Sequence, residues 1–284
     1  MKRIIIINIL LFFACVDVFA QQAIVFKMRY MPGLKYTITS NNDNVMQVDF
    51  KGDSAQLKQI TANGTQLPII IQNKNMASYT LKTGSANSQK NFSGIVQYST
   101  IENKELLNGR QISNDINPLT GLEINTVFTP EGKMKADTGA MKTHTDSLKN
   151  LVANMSNSIL NMVAFPAGAI KPGDTFTQDI PMAVPISGNP IQLNAHIVYK
   201  FVAIQNKQAL FDINQSVSFK AFTAQGEVLI TGKGTGKLFY DTTFNFLKIY
   251  QTSLTLNYSM LMGNLTMNGT ASILTDYQAS ITAN

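Results

Sequence analysis

Residues Leu229 to Asp241 read LITGKGTGKLFYD, with three glycines and two lysines inside six consecutive positions. Backbone amides and ammonium groups at that density are what a phosphate-gripping loop uses. Its spacing, however, is G-x-x-x-x-G-K-[ST], leading into a helix whose first amides face the anion. Here Gly232, Gly234 and Gly236 repeat every second residue, and Leu238 stands where Ser or Thr should follow Lys237. Val228, Ile230, the three glycines, Leu238 and Tyr240 fall on one face of a period-two pattern. Glu227, Thr231, Lys233, Thr235 and Lys237 fall on the other, so the stretch reads as a strand. Three successive inward positions without side chains leave a trough in an apolar face. A dry void costs about 24 cal/mol per Å³. The trough is therefore expected to be filled by a helix or neighbouring aromatics, to hold an apolar ligand such as an acyl chain, or to mark a sharp bend in the sheet.

Other chemistry-bearing residues are sparse. His196 sits on the polar side of a strand pattern, as a surface residue would. His144 and Asp146 flank a helix start, where Asp favours the positive end of the dipole and the pair reads as capping rather than metal binding. There is no G-x-S-x-G elbow and no pair of carboxylates at telling spacing. The expectation is a non-enzymatic protein without metal or cofactor.

The chain starts Met-Lys-Arg and continues IIIINILLFFA from Ile4 to Ala14, the basic and apolar regions of a secretory signal peptide. Val18 and Ala20 suit cleavage before Gln21. Cys15 offers the rival outcome of lipidation after the apolar run. Either route gives an exported protein, in the periplasm, associated with the outer membrane, or secreted. Cys15 is the one cysteine, so the fold is expected to rest on its core rather than on disulfides. The net charge of +6 is scattered, and tryptophan is absent. Nucleic-acid binding would want a clustered basic face with interleaved aromatics and is not expected. The expected partners are a lipid or other apolar small molecule, or an envelope protein.

These residues need elements to position them, and most of the chain reads as β-strand. Val45 to Phe50 alternates, as does Leu122 to Phe128, with further strands near 67–82 and 92–103. From Gln192 onward the pattern predicts a five-stranded antiparallel meander, near 192–205, 209–222, 226–240, 246–260 and 266–281. The exception is 145–164, where Leu148, Leu151, Val152, Met155, Ile159, Met162 and Val163 recur at helical spacing opposite a row of asparagines. The predicted organisation is a signal peptide at 1–20, an N-terminal β half at 21–143, a helix at 144–166 and a C-terminal meander at 167–284. Pro32-Gly33 and Pro172-Gly173 open the two halves in similar ways, as duplicated halves would, although Pro-Gly is also a common lead into any strand.

Phe165-Pro166, followed by Ile170-Lys171-Pro172-Gly173-Asp174-Thr175-Phe176, resembles the "P…KxGDxW" passage of bacterial exported β-rich proteins of unknown function. The glycine strand ahead of Tyr240-Asp241 resembles their "GxGxG…fD" segment, with Phe176 in place of the usual Trp. More loosely, long coiled strands with an inserted helix resemble the half-open barrels of lipoprotein carriers of the LolA and LppX type. That resemblance implies acyl chains bound on a concave sheet.

The fold class read from these features is mainly β: long antiparallel coiled sheets or a half-open barrel with one inserted amphipathic helix. The first functional reading is an exported cell-envelope or secreted module binding an apolar ligand. Its expected lining is Tyr199, Phe219, Leu254, Leu256 and Tyr258 beside Gly232, Gly234 and Gly236. The alternatives are a structural or interaction domain of the envelope without a ligand, and an outer-membrane β-barrel.

Overall fold

Alternation of apolar and polar side chains decides most of the strands, because each strand has one face to bury and one to leave in water. The computed structural model describes residues 23–62, 64, 66–116, 119–136, 154, 157–186, 189–223 and 226–284. The expected signal peptide, Cys15, His144, Asp146 and all but the last turn of the expected 145–164 helix lie outside those residues. In chain order the elements are β1 (Leu34–Gly52), α1 (Ser54–Thr61), β2 (Ile69–Thr83), β3 (Phe92–Leu107), β4 (Arg110–Ile116), β5 (Glu123–Phe128) and β6 (Met134–Ala136). There follow β7 (Thr175–Ile186), β8 (Asn189–Gln205), β9 (Gln208–Thr223), β10 (Gly226–Asp241), β11 (Phe246–Met262) and β12 (Leu265–Ala283).

All twelve strands belong to one antiparallel sheet in the order β6-β5-β3-β2-β1-β12-β11-β10-β9-β8-β7, with β4 also paired to β3. The predicted meander forms as β8 to β12. Two-residue turns such as Asn206-Lys207, with φ of 50° and 62°, match the strand twist. β1 joins the meander to the earlier strands, pairing with β12 from Leu34↔Ala283 to Gly52↔Leu265 and with β2 on its other side. Neither β6 nor β7 pairs with the other, so the sheet is open. It nevertheless curls strongly. Val184 on β7 shares a buried cluster with Val48 on β1, six strands away in the sheet order.

The concave face holds the core. Near the start of β1 it is aromatic and sealed. Residues 23–31 run through this closed end, and Phe26 packs between Phe165, Phe201, Phe211 and Tyr240 with ring centroids 5.1–5.3 Å apart. Tyr30 contacts Tyr36, Phe128 and Phe246 in the same way. The Tyr240 hydroxyl donates to the Lys27 carbonyl at 2.9 Å, and Ile24 and Ile170 exchange two backbone hydrogen bonds. Both segments that carry the family resemblance therefore meet here. Phe165, Ile170 and Phe176 hold one flank of residues 24–30, and Tyr240 holds another.

The last turn of the second helix, residues 157–160, buries Ile159, and Val163 beyond it is buried in the same closed-end core. Asn157 was expected on the polar side. Its side chain instead accepts from Met134 N at 3.0 Å and donates to Met134 O at 2.8 Å, pairing the edge of β6 as another strand would. α1 is capped by Asp53, which accepts from Ala55 N, and buries none of its residues.

The convex face carries side chains such as Thr231, Lys233, Thr235, Asn257, Asn268 and Thr270. An outer-membrane barrel needs an apolar exterior and a closed ladder. This sheet is not closed into a barrel, although Leu229, Leu261 and Leu274 are exposed among the polar residues of its outer face.

Candidate functional site

Beyond the aromatic end, the concave face changes character twice. Asn103, Asn75, Asn42, Thr275 and Thr252 are successive cross-strand partners on β3, β2, β1, β12 and β11. They form a polar belt in which Thr275 Oγ1 donates to Asn42 Oδ1 at 2.9 Å. One row further out the belt continues as Glu105, Asn73 and Asn44. Past it the face turns apolar again.

Between this belt and the open end lies a cleft of about 520 Å³. Met46, Val48 and Phe50 of β1 form one side, Leu256 and Tyr258 of β11 with Met267, Ala271 and Ile273 of β12 the back, and Ala183 and Val184 of β7 the far wall. β7 reaches this position because the sheet curls. Glu105, Asn73 and Asn44 line the inner end. The volume falls in the range of about 300–1,000 Å³ usual for small-molecule sites, and a mostly apolar lining with a few convergent polar groups is their usual composition. A second depression, about 400 Å³, lies on the convex side between Gln47, Lys51, Leu229 and Thr231, and Tyr258 and Gly269 contribute to it as well.

The expected site residues distribute unevenly. Leu256 and Tyr258 line the cleft. Leu254 and Phe219 belong to the same open-end core without lining the cleft. Tyr199 lies in the closed end, stacked on Phe176 at 4.7 Å. Gly232, Gly234 and Gly236 are strand residues, as read, but no open trough stands above them. A Cβ at Gly234 would strike the Ser253 carbonyl and Gln215 Oε1. One at Gly232 or Gly236 would strike the Thr255 or Gln251 carbonyl. The backbone of β11 folds over the glycines, so of the three alternatives sharp coiling with close backbone approach is the one found. The cleft opens beside them, where β12 and β1 carry Ala271, Ile273 and Met46. Only the small Ala271 on β12 signalled it in the sequence.

Burial also shifts the phenols. Tyr258, inside the cleft wall, is lifted from its ordinary pKa of 10.0 to about 12. Burial lifts Tyr36 and Tyr240 equally far, against the hydrogen bonds that each phenol oxygen makes with backbone. His196 Nδ1 lies 2.8 Å from Asp179 Oδ1 on the exposed convex side. Among the described residues no three His, Cys, Asp or Glu side chains cluster as a metal site would require.

No protein-family model matches the chain, and no curated protein matches it. Among solved structures, the type II secretion system secretin GspD of E. coli K12 aligns at 10% identity over 88% of this chain and 50% of that one, with a TM-score of 0.21. The secretin XcpQ of Pseudomonas aeruginosa aligns at 9% identity over 88% and 58%, with a TM-score of 0.19. The chain thus spans roughly half the length of those secretins, and superpositions at this level establish neither a shared fold nor a shared role.

Proposed function

We propose that the protein is an exported, non-enzymatic binding module that holds an apolar, lipid-like ligand in the concave cleft. The observation that carries this reading is the cleft itself. It is apolar on three walls, is open at one end, and is isolated from the tightly packed aromatic end by a polar belt. A cleft of about 520 Å³ with a mainly apolar lining lies in the size range of small-molecule sites. The open sheet edge suits a protein that admits its ligand sideways.

Native mass spectrometry with organic extraction, on protein purified from an exporting host, tests the reading. A co-purifying apolar mass is expected, and Ala271→Phe, which fills the cleft from β12, is expected to lose it while keeping its unfolding midpoint. A clean mass with no uptake of offered lipids would instead leave a ligand-free envelope domain.

A further inference from the structure

The inner end of the cleft carries a negative charge that no described cation answers. Glu105, Asn73 and Asn44 are cross-strand neighbours on β3, β2 and β1, and all three face the cleft. Asn44 Oδ1 is buried and accepts no hydrogen bond, an unfavourable state for an amide oxygen. Glu105 has no cation within salt-bridge range among the described residues. The nearest lysines in sequence are engaged elsewhere: Lys104 Nζ lies 2.7 Å from Glu102, and Lys74 pairs with Asp43. Their positions on β3 and β2 alternate with Glu105 and Asn73, which places them on the convex side. A half-buried carboxylate and an unanswered amide oxygen thus meet at the place where an apolar chain lying in the cleft would end.

A carboxylate without a cation, beside an amide oxygen without a donor, calls for a ligand head that brings positive charge and N–H groups. A protonated primary amine has three N–H groups and no acceptor, and its bonds to a carboxylate are charge-assisted. Resting on the apolar-ligand reading above, we infer that the cleft selects a single-chain amphiphile with a primary ammonium head. The head lies inward against Glu105 and Asn44, and the chain runs outward along Met46, Val48, Leu256 and Met267. A fatty acid of the same length would set its carboxylate against Glu105 and bring no donor to Asn44 Oδ1.

This assignment runs against the charge of the protein as a whole. At a formal +6, unspecific attraction would favour a carboxylate over an ammonium. Isothermal titration calorimetry with dodecylamine, dodecanol and dodecanoate, each below its micelle-forming concentration, therefore separates the two. The amine is expected to bind at least about tenfold tighter than the carboxylate, the scale of one charge-assisted hydrogen bond, with the alcohol between them. Glu105→Gln is expected to bring the amine level with the alcohol while leaving the alcohol's affinity unchanged. Asn44→Leu is expected to shrink the amine preference without abolishing chain binding. Equal affinities, or a tighter carboxylate, would overturn the head assignment and leave the apolar cleft standing. Failure of all three probes to bind would overturn both.

Discussion

Tyr258 on β11 occupies the space that a side chain at Gly269 on β12 would need, and its hydroxyl reaches past β12 to donate to the Gln47 carbonyl of β1 at 3.2 Å. One ring thus ties three neighbouring strands and forms the partition between the concave cleft and the convex depression. Gly269→Ala is expected to push this ring aside and destabilise the fold by about 1–3 kcal/mol, as overpacking does. Tyr258→Phe, which loses only the hydroxyl bond, should cost about 1 kcal/mol. Urea unfolding measures both. In the double variant Gly269→Ala with Tyr258→Ala, the cost of the alanine at 269 should largely vanish; an unchanged cost would mean the ring is not what fills that space.

All nine tyrosines of the chain, from Tyr30 to Tyr277, are at most 5% exposed. Below pH 10 neither the folded nor the unfolded chain ionises them. Above it, the unfolded chain releases phenol protons that Tyr36, Tyr240 and Tyr258 hold until about pH 12. The unfolded state then binds fewer protons than the native one, so stability is complete below pH 10 and falls as pH rises from 10 to 12. With no tryptophan in the chain, phenolate absorbance reports this directly. A single cooperative rise that coincides with loss of β-sheet circular dichroism is expected. Independent titration of several tyrosines near pH 10 in the folded protein would contradict the packing described.

Residues 23–31 belong to no strand of the sheet, yet Phe26 and Tyr30 sit at the centre of the closed end. Phe26→Ala is expected to cost about 3–5 kcal/mol, the usual range for deleting a buried aromatic. A thermal midpoint within a degree or two of the parent would show that this segment does not hold the core.

Asn157 gives a local prediction. Asn157→Ala removes both hydrogen bonds to Met134 and exposes the edge of β6. Hydrogen exchange at the Met134 amide should accelerate strongly while β8 to β12 keep their protection. Global stability should drop by no more than about 1–2 kcal/mol.

The meander was readable because Phe211, Ile213, Val217 on β9 and Leu254, Leu256, Tyr258 on β11 alternate with polar residues, broken on the inner face of β9 by Gln215. The full length of β1 was not. Ser40, Asn42 and Asn44 face inward and Asn41 and Asp43 outward, so the middle of this strand has no polar-apolar period, and only pairing with β2 and β12 makes it a strand. That same loss of pattern is the polar belt, so the feature that hid the strand also marks the inner edge of the cleft. α1 went unseen for a related reason, since it buries no face. The glycine stripe showed a strand and a special position. Whether space or backbone lay above it depended on how far β11 folds over β10, a property of sheet coiling that no single strand encodes.

The pairing of Leu34 with Ala283, and of Lys27 with Tyr240, also fixes an order of events. The first strand has one of its two neighbours at the very end of the chain, and the segment before it packs against residues more than two hundred positions away. Contacts that distant carry a large loop-closure cost before they return anything, which makes for slow assembly. A ribosome delivers the chain from its N-terminus, so the edge of β1 stays unpaired until β12 has emerged. Until then Tyr36 and Ile38 lack the strand that pairs one edge of β1.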